Sequence, residues 1–527
     1  APSTQTLTWR KRFAFAGWFM VIMLLVRAPT LFRSVLDWDE SLYLLMAKQW
    51  QAGHLPYTTI WDNKPIGIYA IFLVFQEIFG ANVAAIRLAT TVFVTANATF
   101  VAAISYQFLQ NTVAPQRSRY AAFAGICYGV ASLSNDGLAA NTEIFMTAFT
   151  TLAMLLAVAP GSQSLRRNAA CGLIFGLAVM TKYVAIFEAP ALAFALLYFN
   201  RPTKKEIYIR RLLATATGGI IPMLATAFVY ADLGQMRLWW HDSVISNITR
   251  VAANVPTPNI GAVITGQLMN WLLLYVAALM MIVQIVVKQK RDQQSYNTYV
   301  FVLLWLGCGG LGVYAAKSFY DHYFLQILPV LCIITVLTYA SSGWIGRRVL
   351  WIIVAFPVLA GYHALAQAVA PMISMNGGHI NIQPDATERG AHDLNLVLQQ
   401  DQHIYVFDDQ PIIYNLTHQS PPTRYIFPSV LTTCFLEKVA GIDAVLEVQK
   451  IFAQHPAYVI RTLYPASAET NRNYAVYAFV NEALHDNYHL WKQEGATQIF
   501  QLTSNAAFRL PRKVHAGTCG HPVTANP

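Results

Sequence analysis

The chain has 527 residues, of which 55% are hydrophobic and only 12% charged, with a mean hydropathy of +0.40. Soluble globular proteins carry about a quarter charged residues, so this composition excludes an ordinary water-soluble enzyme. The net charge of +10 comes from short basic clusters set between apolar runs, which is a positive-inside pattern and excludes the continuous basic stripe of a nucleic-acid binder.

Apolar runs long enough to cross about 30 Å of hydrocarbon recur along the chain. They predict eleven spans, at about 13–33, 83–109, 119–135, 142–160, 168–182, 184–200, 212–230, 264–287, 297–316, 322–340 and 349–370. The first follows Arg10-Lys11-Arg12, is long and has no small-residue cleavage site, and so is expected to stay as an uncleaved anchor. The connections alternate in charge. One set carries Arg10/Lys11/Arg12, Arg117/Arg119, Arg166/Arg167, Arg201/Lys204/Lys205/Arg210/Arg211, Lys288/Lys290/Arg291 and Arg347/Arg348, which places it in the cytoplasm. The other carries Asp37/Asp39/Glu40/Asp62, Asp136/Glu143, Asp232/His241/Asp242 and Asp321/His322. The carboxylates are therefore expected on the external face, and an odd number of spans puts the C-terminal region there too. One apolar segment, Pro65–Phe79, is short, opens on proline and holds Gln76 and Glu77. Counting it as a span inverts every later loop, so it is predicted as an interfacial or re-entrant helix inside a long first loop, 36–82.

From about residue 371 the pattern changes. Short strand-like runs at 403–407, 457–461 and 498–502 alternate with helix-like segments at 387–400 and 441–454, which predicts a small α/β domain over 371–527 following a transmembrane catalytic domain over 1–370. Of six cysteines, four fall in apolar runs, while Cys434 and Cys519 lie in the outer region. No CxxC pair is present, so a cysteine metal site is not expected; in an oxidising compartment Cys434 and Cys519 are candidates for a disulfide.

The first loop carries the chemistry. It reads DWDESLYLLMAKQWQAGHLPYTTIWDNKPIGIYAIF, with adjacent carboxylates just past a span. Asp39 and Glu40 cannot share one helix face, so two roles are open: a general base toward a hydroxyl, typically worth about 10²–10⁴-fold, or a cap for the following helix. Lys64 is a cation on the outer side, against the positive-inside bias, and suits a lipid phosphate. Arg27, Arg33, Arg87, Lys182, Arg237, Arg250 and Lys317 are further cations on that side or inside spans. For Arg27, Arg33 and Arg87 the competing reading is snorkelling to headgroups; for Lys182 it is an ion pair with Glu188. Glu143 opens a span, either capping it or meeting an acceptor. His241-Asp242 and Asp321-His322 form a donor set that suits a divalent ion if the two pairs converge.

The Asp-Glu pair followed by Tyr43, Ala47, Gly53, Pro56 and Lys64-Pro65, then FGANVAAIRL with Arg87, resembles the protein O-mannosyltransferase superfamily, within it the bacterial lipid A aminoarabinose transferases. Asn141-Thr142-Glu143, GLAVMTKYVA with Lys182-Tyr183, KSFYDHYFLQILPVL with His322-Tyr323, and Pro411…Tyr414 and Pro422-Thr423-Arg424-Tyr425 are similar to later family segments. The resemblance implies a polytopic α-helical GT-C-like membrane protein of about 11 transmembrane helices with a C-terminal extracytoplasmic α/β domain. It implies an inverting transfer of sugar from a polyprenyl-phosphate donor to a hydroxyl on a lipid, glycan or protein, at the outer face of a bacterial inner membrane, with the N-terminus cytoplasmic and the C-terminal domain periplasmic. Asp39 would be the base or acceptor-orienting residue with Glu40 as partner. Lys64 would bind the donor phosphate, and Glu143, Lys182, Tyr183, His322, Tyr323, Arg87 and Tyr43 would bind donor or substrate. No cofactor is required on this reading, with a divalent metal as the variant. Ile66 in place of the second proline of Lys-Pro-Pro, and Tyr183 in place of a glycine, set the chain apart from the best-known subfamilies. The alternatives are a flippase for lipid-linked sugar, which predicts mid-span charges and an internal repeat, and a non-catalytic assembly protein of the same fold. No Walker motif is present to drive ATP-dependent export.

Overall fold

The computed structural model describes residues 9–109, 116–160, 164–199, 205–253, 258–287, 293–340, 343–376, 379–462, 471–504 and 508–511. After α1 (Trp9–Arg27) the first loop holds two helices, α2 (Trp38–Gln51) and α3 (Gly67–Phe79). The bundle continues through α4 (Val83–Phe108), α5 (Arg117–Ala131), α6 (Thr142–Val158), α7 (Leu165–Thr181), α8 (Ala189–Tyr198) and α9 (Lys205–Asp232). Two short helices, α10 (Met236–Trp239) and α11 (Ser246–Ala252), precede α12 (Ile260–Val287), α13 (Gln293–Ala315), α14 (Leu328–Ala340) and α15 (Gly343–Val369).

Each of the eleven predicted segments holds a helix. Six helical segments among the described residues are long and apolar enough to cross a membrane: Phe15–Phe32, Val83–Phe108, Glu206–Asp232, Ile260–Val286, Ser295–Ala315 and Asp321–Ala340. Others are shorter; α6 and α7 have 17 residues each, about 25 Å of helix at 1.5 Å per residue. The segment 65–79 forms α3, which packs on α2, α4 and the end of α7.

Small residues set two close approaches. A Cβ at Gly172, Gly176 or Gly218 would lie 1.9, 2.3 or 2.0 Å from a carbonyl oxygen of the facing helix, so α7 and α9 pack backbone to backbone, as glycine permits between membrane helices. A Cβ at Gly67 would lie 2.4 Å from Met180 O. This contact seats the start of α3, three residues after Lys64, against the end of α7, two residues before Lys182.

The C-terminal region begins with the hairpin β1 (Ile373–Asn376) and β2 (His379–Ile382), then α16 (Ala386–Val397) and β3 (Ile404–Phe407). Helices α17 (Ile412–Leu416), α18 (Pro428–Thr432), α19 (Cys434–Ala440) and α20 (Ala444–Phe452) lead to β4 (Tyr458–Thr462), and α21 (Tyr474–Asn487) to β5 (Tyr488–Glu494) and β6 (Thr497–Leu502). The sheet order is β3-β4-β6-β5, with β3 and β4 parallel and the other pairs antiparallel. Val406, Val459, Ile460 and Ile499 bury its centre.

This region is tied to the first loop by polar contacts. Asp385, the N-cap of α16, accepts from Ser34 N at 2.9 Å. Trp61 N donates to Arg424 O at 2.8 Å, Arg424 Nη2 donates to Tyr57 O at 2.6 Å, and Lys48 Nζ donates to Asn415 Oδ1 at 2.8 Å. Cys127, Cys171, Cys308 and Cys332 are free and buried. Cys434 is disulfide-bonded, and Cys519, its expected partner, lies outside the described residues. Arg201, Lys204, Lys288, Lys290 and Arg291 of the expected cytoplasmic clusters also lie outside them.

Candidate active site

Helix α2 begins with a reciprocal cap. Asp37 is the N-cap, its Oδ1 accepting from Asp39 N at 2.9 Å, and the Glu40 side chain reaches back to the loop, accepting from Leu36 N at 2.6 Å. A capping box uses the N-cap and N3 residues, so Asp37 and Glu40 are committed and Asp39, between them, points elsewhere. Glu40 lies under the loop. It forms a salt bridge with Arg87 of α4, accepts from Ala140 N at 3.0 Å, and the pair is 2% and 1% exposed.

Asp39 faces a cavity. Its Oδ1 lies 3.6 Å from Lys64 Nζ, its Oδ2 accepts from Tyr43 OH at 3.0 Å, and both Asp39 and Lys64 are 16% exposed. Lys64 Nζ is also 3.5 Å from Asp62 and sits over the Tyr43 ring at 5.6 Å. Burial pushes the Asp39 carboxyl up, but Lys64, His322 and Lys182 outweigh it and hold the group below the usual carboxylate range. Burial raises Asp62, only partly offset by Lys64; burial lowers Lys64, but Asp39 and Asp62 stabilise its charge by more, leaving it above the usual lysine value. Asp37, buried beside Asp39, is pushed up to about 6.

Two cavities meet at Lys64. The first, about 480 Å³, is the more polar of the two and is bounded by Asp37, Asp39, Asp136, Ser318 and His322, with Phe427, Thr433, Phe435 and Asn471 of the C-terminal region closing it. The second, about 420 Å³, is largely apolar, with Ile186, Phe187, Leu311 and Tyr314 in its wall. Lys64, Arg250 and Tyr323 line both. Arg250 Nη2 donates to Tyr323 OH at 3.2 Å and Ser318 Oγ at 3.4 Å. Lys182 forms a salt bridge with Glu143 and lies over the Tyr323 ring, 4.0 Å from its centroid. Tyr183, on the apolar side, shares a 2.7 Å hydrogen bond with Ser243. His322 Nδ1 is buried, 4.0 Å from Asp136 Oδ2, and has no hydrogen-bond partner among the described residues. Loops near the cavities hold non-glycine residues at positive φ: Tyr57 (70°), Asn135 and Asp136 (53°), Lys317 (59°) and Phe319 (49°). Strain of this kind collects at functional sites.

The crystal structure of ArnT from Cupriavidus metallidurans bound to undecaprenyl phosphate matches the chain with a TM-score of 0.62 at 12% identity, covering 94% of this chain and 99% of that one. The same protein in the apo state gives 0.60 at 12% identity, over 95% and 100%. The chain has the GT-C fold. A family model described as dolichyl-phosphate-mannose-protein mannosyltransferase matches residues 63–230 of this GT-C chain, a stretch that includes Lys64, Glu143 and Lys182. No curated protein sequence matches it.

Within this GT-C bundle several expectations are corrected. Glu40 and Arg87 line neither cavity; they bind each other, so the partner of Glu40 is Arg87 and not Asp39. Tyr43 stands behind Asp39 as its hydrogen-bond donor and does not line either cavity. Arg27 does not snorkel: Nη1 donates to Gly137 O at 2.9 Å and Nη2 to Ser132 Oγ at 3.1 Å, in the bundle. Arg33 faces Asp385 at 3.7 Å. Lys182 pairs with Glu143 and not with Glu188. Asp242 is held by Arg424 and His241, Asp321 accepts from Gln267 at 3.4 Å, and no group of three metal-ligating side chains occurs among the described residues. Sequence reasoning named Arg250 only as one of several cations, held Ser318 only as part of the KSFYDHYFLQILPVL segment, and missed Phe427, Phe435 and Asn471, which reach the cavity through tertiary packing and which no local motif marks.

Proposed function

We propose that the chain is an inverting membrane glycosyltransferase that moves a sugar from a polyprenyl-phosphate donor to a hydroxyl of a lipid, glycan or protein. The reaction would run at the outer face of a bacterial inner membrane, with the basic clusters cytoplasmic and the C-terminal region periplasmic. The supporting observation is the shared wall: Lys64 and Arg250 stand between an apolar cavity suited to a prenyl chain and a polar cavity that holds Asp39. The ArnT match, whose crystal form contained undecaprenyl phosphate, supports the same donor class.

On this reading the donor phosphate meets Lys64 and Arg250, with Lys182 nearby, and replaces Asp39 as counter-ion of Lys64. Asp39 then accepts the proton of the acceptor hydroxyl. The acceptor oxygen forms its bond to the anomeric carbon from the face opposite the phosphate, the carbon–oxygen bond to phosphate breaks, and polyprenyl phosphate leaves. Fixed cations stabilise the charge that grows on the leaving group. Asp39, held ionised by those cations, is a weak base, which suits a donor whose phosphate already leaves readily. Asp39→Asn is expected to lower transfer from a polyprenyl-phosphate sugar by about 10²–10⁴-fold while polyprenyl-phosphate binding persists. Wild-type turnover in that variant would sink the assignment.

A further inference from the structure

The Lys182-Tyr183 and His322-Tyr323 edges of the site come from separate stretches of chain. Lys182-Tyr183 lead into a 3₁₀ segment, Tyr183–Glu188, and His322-Tyr323 lie in another, Asp321–Ile327. Each is preceded by an extended residue, Lys182 (φ −154°, ψ 124°) and Tyr320 (φ −60°, ψ 149°), so neither is a rigid continuation of the helix before it. The 3₁₀ turn has poorer hydrogen-bond geometry than the α-helix, and a fixed placement of one segment against the other requires a tertiary tie.

Glu188 supplies one. It is completely buried. Oε1 accepts from Gln326 Nε2 at 3.0 Å, and Oε2 accepts from Trp305 Nε1 of α13 at 2.7 Å. Gln326 belongs to the second 3₁₀ segment, and its amide also donates to Val184 O in the first, at 3.4 Å. Helix α13 leaves room for that amide: a Cβ on Gly312 would lie 2.6 Å from Gln326 Nε2, and one on Gly309 would lie 3.0 Å from Ile327 Cγ2. A carboxyl inside a membrane bundle is expensive and is by default functional, yet Glu188 lines neither cavity.

We infer that Glu188 is a positioning residue: with Gln326 it clamps the two 3₁₀ segments together, and so holds Lys182 over Tyr323 at the head of the apolar cavity. On the reading that this cavity takes a polyprenyl phosphate, the clamp sets the affinity for that lipid. The experiment uses the full chain in lipid nanodiscs, with two readouts: binding of a polyprenyl phosphate, and amide hydrogen exchange over 183–188 and 321–327. Glu188→Ala leaves the Trp305 and Gln326 donors unpaired, and affinity is expected to fall by about tenfold or more, with faster exchange in both segments. Glu188→Gln recovers most of the affinity, because a turned Gln326 amide can accept from the new one. Glu188→Ala and Gln326→Ala break the same contact, so their losses do not multiply. If Glu188→Ala does not fold, Gly312→Ala, which pushes on the Gln326 amide, is expected to give the same paired rise in exchange. Faster exchange confined to 183–188, or fully multiplicative losses, overturns the clamp. Paired exchange in a protein whose wild type binds no polyprenyl phosphate supports the clamp and overturns the donor reading instead.

Discussion

Asp39 and Glu40 are adjacent in the sequence, each faces a cation, and the two pairs are built differently. Successive helical residues point about 100° apart, so one step along α2 turns the side chain from the cavity to the interior. Glu40 and Arg87 are both nearly sealed, and Glu40 also takes backbone N–H groups from the first loop and from Ala140. Both Glu40 oxygens are taken, and of the pair only the buried Arg87 Nε has no partner among the described residues. Asp39 and Lys64 keep 16% exposure each, and their separation of 3.6 Å is longer than a good hydrogen bond. A sealed buried pair fixes where α2 stands against α4; a partly exposed pair at a cavity wall can exchange partners. The difference teaches that the cap and the chemistry, which compete as readings of one acidic motif, are carried out together by different members of it.

The largest stability effect is expected at the sealed pair. Arg87→Ala leaves Glu40 buried without its cation and should destabilise the protein by about 3–5 kcal/mol, read as thermal unfolding in detergent, while protein that remains folded still binds polyprenyl phosphate. Intact stability with lost lipid binding would erase the contrast and return Arg87 to the site. At the open pair the expected order reverses. Lys64→Ala should weaken polyprenyl-phosphate binding by about tenfold or more, the scale of a charged hydrogen bond, with a smaller change in unfolding temperature. Unchanged affinity would remove Lys64 from the phosphate site.

Much of this was legible along the chain, because membrane helices announce themselves by apolar length, and helix α3 by its failure to fit the charge alternation. The strands at 404–407, 458–462 and 497–502 lie within a residue of the runs that predicted them. Individual partners were not legible. Arg87 and Lys64 are both cations near the first loop, and only the packing of α2 on α4 decides that one of them is consumed by Glu40. Lys182 has Glu188 six residues away in sequence, but its Nζ meets Glu143 from α6, while Glu188 turns to Trp305 and Gln326. The residues that close the polar cavity from the C-terminal region, Phe427, Thr433, Phe435 and Asn471, are unremarkable in sequence because their placement depends on how that region docks on the first loop.

The smallest predicted effect asks whether the two members of the motif that share the loop surface are truly separate. Asp37 caps α2, but it also lines the polar cavity beside Asp39, and burial, with Asp39 adding to it, raises its carboxyl from 3.8 to about 6. A carboxyl raised in the folded state contributes stability that is present at low pH and is lost as the pH rises through about 6. Above that pH the ionised Asp37 makes its neighbour Asp39 more basic, so transfer should rise through an inflection near 6. Asparagine caps a helix as well as aspartate does and cannot ionise. Asp37→Asn is therefore expected to remove that inflection, to slow transfer at neutral pH by roughly threefold, and to unfold at a higher temperature than wild type above the inflection. An inflection that survives the substitution would assign it to another group and leave Asp37 with capping alone.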